Sequence, residues 1–96
     1  MIILGFLRHP GIVRGSDLLV EQMRQWALAE GWTLGNVIAE SPSTDRFPAL
    51  LAEADRRGAK GVLIPSIAHL GTDADARLAL LTGAGVGIYF LTRPPA

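Results

Sequence analysis

The apolar residues of this chain change period repeatedly, and each change falls on a glycine, a proline or a residue suited to capping a helix. Short apolar runs alternate with stripes at helical spacing. That alternation is the pattern of a parallel α/β sheet. Ile2 to Leu7 is almost continuously apolar, as expected for a strand covered on both faces. Arg8-His9-Pro10-Gly11-Ile12-Val13-Arg14-Gly15 follows as a loop marked by its proline and two glycines. Ser16 or Asp17 can cap the next helix, where Leu19, Met23, Trp26 and Ala27 make one buried face, and Gly31 suits its left-handed end.

Thr33 to Ala39 reads as a second strand, weakened by Gly35 and Asn36, and Glu40 to Asp45 is a polar loop. Pro48 is tolerated only in a first helical turn, and Phe47, Leu50, Leu51 and Ala54 then form a stripe that stops at Gly58. Gly61 to Ile64 is a third strand ended by Pro65. Thr72 with Asp75 resembles a capping box, and Ala74, Leu78 and Leu81 carry that helix until Gly83. Val86 to Leu91 is the fourth strand, and Thr92-Arg93-Pro94-Pro95-Ala96 cannot continue a sheet. The prediction is a three-layer α/β/α domain with a mostly parallel four-stranded sheet and right-handed crossovers. At 96 residues the chain has room for one domain, and it shows no internal repeat or linker.

Nine basic residues balance nine acidic ones, so the chain as a whole has no excess charge to attract nucleic acid. Without cysteine there is no disulfide framework, thiolate zinc site or cysteine nucleophile. No apolar run reaches the roughly 18–20 residues of a membrane span, and the start has no basic leader or cleavage site. A soluble, cytoplasmic protein without membrane contact is the expectation. Eight of the nine basic residues are arginine, which with the abundant alanine and leucine fits a GC-rich bacterial genome.

Ligands of open parallel sheets bind beyond the carboxyl ends of the strands. The residues predicted there are Arg8, His9 and Pro10 after the first strand and Glu40, Ser41 and Ser43 after the second. Ser66, His69 and Thr72 follow the third strand, Thr92 and Arg93 the fourth, and Arg46 can lean over the same rim. Two histidines and three arginines on one rim suggest an edge that faces an anion; the plain alternative is that loops are polar everywhere. The opposite rim offers only Lys60.

Each candidate has a structural reading beside its chemical one. Ser16 is better placed as a helix cap than as a nucleophile, and Ser41, Ser43 and Ser66 suit turns. His9, His69 and Asp45 could meet as metal ligands, but two histidines on separate loops do so by chance, and neither a metal nor a cofactor is expected. Gly11-Ile12-Val13-Arg14-Gly15-Ser16 is one residue short of a phosphate loop and lacks its lysine. A helix start beside Arg8 and Arg14 would still attract phosphate. Trp26 and Trp32 suit packing, and Arg56, Arg57 and Lys60 suit the end of a helix.

In order and spacing the chain resembles the catalytic domain of the serine recombinases, the resolvase/invertase family. Phe6-Leu7-Arg8-His9-Pro10 stands where that family has Tyr-x-Arg-Val-Ser, and Gln22 and Gly31-Trp32 fit its first helix and turn. Arg46-Phe47-Pro48-Ala49-Leu50-Leu51 matches its Arg-Pro and leucine-rich helix with one residue inserted. Ile67-Ala68-His69-Leu70-Gly71-Thr72 stands at its Leu-Asp-Arg-Leu-x-Arg, and Gly85 to Leu91 fits its fourth strand. The resemblance implies a resolvase-like fold with sheet order 2-1-3-4.

The departures bear on chemistry. In the family the serine attacks a DNA phosphodiester while arginines hold the phosphate oxygens. Here Pro10 has no hydroxyl, Ala68, His69 and Thr72 replace the aspartate and two arginines, and only Arg8 and Arg46 match. The resemblance therefore implies a recombinase scaffold without catalytic residues, with a vestigial anion site at Arg8, Arg46, His69, His9 and Arg14. The expected role is a binding or protein-interaction module, tied to DNA recombination through a partner. The alternatives are an active recombinase subunit or small phosphoryl-transfer enzyme, and a small-anion or nucleotide binder. Residues 1–96 are expected to form one resolvase-like domain without the family's helix-turn-helix, so DNA binding would be weak or indirect. The last strand leaves an apolar edge, which a protein partner or a second copy would cover.

Overall fold

β1, Ile2–Arg8, has a strand along each edge and a packed hydrophobic cluster on each face, and the two covered faces are why its sequence is apolar without alternation. The computed structural model describes residues 1–8, 16–41 and 44–91, with residues 16 and 17 in their backbone only. The remaining elements are α1 (Ser16–Glu30), β2 (Thr33–Glu40), α2 (Phe47–Arg57), β3 (Gly61–Ile64), a 3₁₀ segment (Ile67–Asp73), α3 (Ala74–Gly83) and β4 (Gly87–Phe90). All three strand pairings are parallel and the sheet order is β2-β1-β3-β4. This is the expected four-stranded α/β architecture.

Alternate residues of β1 feed opposite layers. Leu4 and Phe6 point towards α2 and α3, joining Ile38, Phe47, Leu50, Ala54, Val62, Ile64, Leu70 and Leu81 in one core. Ile3 and Leu7 point towards α1 and meet Met23, Ala27 and Leu63. On that side Tyr89 lies between Trp26 and Trp32, with ring centroids 5.5 and 5.4 Å away. Gly61 and Gly87 make room for it: a Cβ on either would fall 3.0 Å from Tyr89 Cε2.

A register shift governs the rim. Ile3 stands opposite Leu34, yet Gly5 stands opposite Val37, so β2 spends Gly35 and Asn36 where β1 spends only Leu4. This extra residue is a β-bulge at the weak point of the strand. Beyond it the pairs are Phe6 with Ile38, Leu7 with Ala39 and Arg8 with Glu40. Without it Arg8 would face Ala39.

Two local expectations are corrected. Thr72 and Asp75 do not form a capping box, because Thr72 lies within the 3₁₀ segment and Asp73 precedes α3 without a side-chain cap. Gly71, at φ 74°, redirects the chain there and delays the helix. The fourth strand is shorter than expected at both ends. Val86 N–H is taken by Leu81 C=O at the end of α3, so the residue closes the helix and does not open the strand.

Candidate functional site

At the carboxyl ends of β1 and β2 the bulge places an arginine beside a glutamate. Glu40 is 1% exposed. A carboxylate sealed from water needs close opposite charge and hydrogen bonds to all its lone pairs. Arg77, from α3, supplies most of this: its Nη1 donates to Oε2 at 2.7 Å and its Nη2 to Oε1 at 3.2 Å. Such a two-pronged pair fixes direction as well as charge. The backbone N–H of Arg46 also donates to Oε1, at 3.1 Å. Arg8 Nε stands 3.5 Å from Oε2, an ion pair too long to give that buried nitrogen a hydrogen bond.

Arg77 is itself enclosed. Its guanidinium carbon lies 4.8 Å from the Phe47 ring centre and 5.8 Å from that of Phe6, and the two rings meet edge to face. Its Nη2 also donates to Asp45 Oδ1 at 3.0 Å. The same Asp45 oxygen accepts the N–H of Phe47, the first residue of α2. The start of α2 thus has two of its free amides met by carboxylates of the chain itself, where its dipole favours negative charge.

His69, in the 3₁₀ segment, accepts the backbone N–H of Arg8 on Nδ1 at 2.9 Å. A neutral imidazole accepting on Nδ1 carries its proton on Nε2. Burial pushes the His69 pKa below its ordinary value, consistent with the neutral ring. The Arg8 guanidinium rests on Gly71, where a Cβ would collide with Nη1.

Of the residues singled out in the sequence, Arg8 and the backbone of Arg46 come together at Glu40, and His69 joins them through the Arg8 backbone. The Arg46 side chain is exposed and has no partner among the described residues. His9, Pro10, Arg14, Ser43, Thr92 and Arg93 lie outside the described residues, and so does the glycine-flanked stretch before Ser16. Among the described residues no three His, Asp or Glu side chains converge as metal ligands, and no helix is long and apolar enough to cross a membrane. Arg77 is the residue that sequence reasoning missed. It sits three after Ala74 and four before Leu81, inside the apolar stripe of its helix, and a charge in that stripe is a signal for a buried partner.

No family model and no curated protein matches the sequence. Solved structures do match the fold. The C-terminal catalytic domain of ISC1926 TnpA, an IS607-like serine recombinase, superposes with a TM-score of 0.80 at 17% identity, covering 98% of this chain and 72% of that one. The N-terminal catalytic domain of TP901-1 integrase gives 0.76 at 15% identity, over 95% and 77% of the two chains. The C-terminal catalytic domain of IS1535 TnpA, also IS607-like, gives 0.69 at 19%, over 93% and 70%. The protein therefore has the fold of the catalytic domains of serine recombinases.

Proposed function

We propose that this domain retains the serine recombinase scaffold without strand-cleaving chemistry, and works as a binding or protein-interaction module linked to DNA recombination through a partner. One observation carries the reading: buried Glu40 holds the guanidinium of Arg77, pairs with Arg8 and takes the Arg46 amide. Two guanidinium groups on this rim, those of Arg8 and Arg77, are turned to a carboxylate of the same chain. Transition-state charge on a phosphoryl group needs donors that are free and pointed outward. Pro10, at the position where the resembled family keeps its serine, supports the same reading from the sequence.

The test is incubation with supercoiled DNA carrying candidate crossover sites, followed by denaturing electrophoresis. No covalent protein–DNA adduct and no nicking is the expected result. An adduct that survives denaturation would overturn the reading in favour of an active recombinase subunit.

The Arg46 guanidinium, exposed and without a partner among the described residues, favours a second reading, a small-anion or nucleotide binder. A thermal-shift series with phosphate compounds at several salt concentrations checks it, and a flat response removes it.

A further inference from the structure

β3 stops at Ile64, and its ladder with β1 ends at the pair Gly5 and Leu63. β1 runs on to Arg8, so its last residues extend past their neighbour on that side. The chain after β3 passes through Pro65 into the 3₁₀ segment, and there His69 presents Nδ1 to the Arg8 amide at 2.9 Å. The imidazole nitrogen takes the place of the carbonyl that a longer β3 would have provided. An imidazole nitrogen differs from a carbonyl in one respect: at mildly acidic pH it becomes a donor.

We propose that His69 is a proton-operated latch on the carboxyl end of β1. In its neutral form it pins the Arg8 backbone to the 3₁₀ segment; protonated on both nitrogens, it has no lone pair for the Arg8 N–H and the pin is released. The reading goes beyond the binding role proposed above and does not depend on it, since it concerns the strand end and not its ligand.

The surroundings favour a latch over a fixed strut. Among the described residues, the charged groups around the 3₁₀ segment are Arg8 on β1, Glu40 on β2, Asp45 and Arg46 before α2, and Asp75 and Arg77 on α3, with Asp73 on the segment itself. Arg8, Glu40, Asp45 and Arg77 are paired among themselves. His69 has no hydrogen bond or ion pair to any carboxylate among the described residues, so nothing there stabilises the imidazolium. Burial pushes its pKa down, which places release on the acid side of the ordinary histidine range.

Release would have two coupled effects. The Arg8 backbone loses its hydrogen bond to the 3₁₀ segment, loosening the seat of its guanidinium against Gly71 and beside Glu40. The rim, which sets the three guanidinium groups of Arg8, Arg46 and Arg77 against the two carboxylates of Glu40 and Asp45, gains a further positive charge. Acid both opens the strand end and makes it more attractive to anions.

The experiment uses the full-length ¹⁵N-labelled protein. Long-range ¹H–¹⁵N spectra report the tautomer and midpoint of His69, and amide exchange, corrected for intrinsic rates, reports Arg8. The expected result is an Nε2–H neutral ring, a midpoint below 6.5, and a fall of about tenfold in Arg8 protection across that midpoint, the worth of one hydrogen bond. Leu50, inside α2, should keep its protection over the same range. His69→Asn, whose side-chain oxygen can stand where Nδ1 does, should hold Arg8 protection constant with pH, whereas His69→Gln should lower it at every pH. An Nδ1–H tautomer overturns the proposal. So does Arg8 protection that stays level while His69 titrates, a result available from the wild type even if a variant fails to fold.

Discussion

Arg77 grips Glu40 with both terminal nitrogens, at 2.7 and 3.2 Å, across 37 residues of chain, and so ties α3 to the end of β2. The side chains are 12% and 0% exposed. Breaking such a pair from one end strands a charge away from water, which costs about 3–5 kcal/mol. Glu40→Ala should lose stability on that scale in urea denaturation. Arg77→Met should lose similarly, although its chain can still lie against Phe6 and Phe47. Combining Arg77→Met with Glu40→Met should recover more than half of the loss, because the enclosed carboxylate and its main partner are then both gone and the Arg8 left unpaired is partly exposed.

Asp45 touches the same guanidinium, but it is 64% exposed, and the expected contrast is large. Exposed pairs are worth about 0–1 kcal/mol. Asp45→Asn should shift the urea midpoint little, since an amide oxygen can still accept from Phe47 N–H. A loss comparable to that of Glu40→Ala would mean that Asp45 anchors the guanidinium as much as Glu40 does.

Gly71 has φ 74° and leaves no room for a methyl group beside Arg8. Gly71→Ala should cost about 1–3 kcal/mol through backbone strain and displacement of the guanidinium. In an Arg8→Ala background the displacement is absent and only the backbone part should remain. A double-mutant cycle measures the difference.

Much of this was legible in the sequence, for physical reasons. Apolar period and glycine placement carry element type, so β3 is found residue for residue at Gly61–Ile64 and the Leu19, Met23, Trp26, Ala27 stripe does face the sheet. The strand order is not in the periodicity; it is implied by the resemblance to serine recombinases. The site was half visible. Arg8 and His69 lie on the predicted rim, but the Nδ1 contact depends on how far β3 falls short of β1, which no local pattern records. Arg8 and Glu40 become neighbours only through the bulge at Gly35 and Asn36, and those two residues read simply as weak strand formers. Arg77 carries a signal in its place within the apolar stripe of α3, but its partner Glu40 lies 37 residues away on β2, and no local pattern names it.

Tyr89 supplies a check on the other face. Gly61→Ala would press a methyl group on Tyr89 Cε2 and the Ile3 side chain, at about 1–3 kcal/mol for an overfilled core. Since Trp26 and Trp32 both lie against that ring, intrinsic tryptophan emission should change in intensity or wavelength along with stability. An unaltered spectrum with unaltered stability would mean that the ring does not rest there.

Acid should weaken the fold through His69. Its native pKa is lowered from 6.5, so the unfolded chain binds the proton more tightly than the native one does. The resulting stability is complete above about 6.5 and declines as pH falls from there towards the lowered native value. Urea midpoints at pH 7.5 and 5.5 should differ more for the wild type than for His69→Asn. Equal differences would assign the acid sensitivity to other groups.

The sealing of Glu40 divides the molecule's charges into two populations with respect to dissolved ions. Exposed contacts such as Arg24 with Glu21 sit within reach of the ionic atmosphere and fade as its screening length shrinks to a few ångströms near 1 M. The Arg77–Glu40 contact is largely enclosed, with side chains 12% and 0% exposed, and leaves counter-ions little room to enter. Brine would thus strip the outer electrostatics while the inner clasp kept its hold, leaving β2 and α3 joined in conditions where the surface had gone electrically silent.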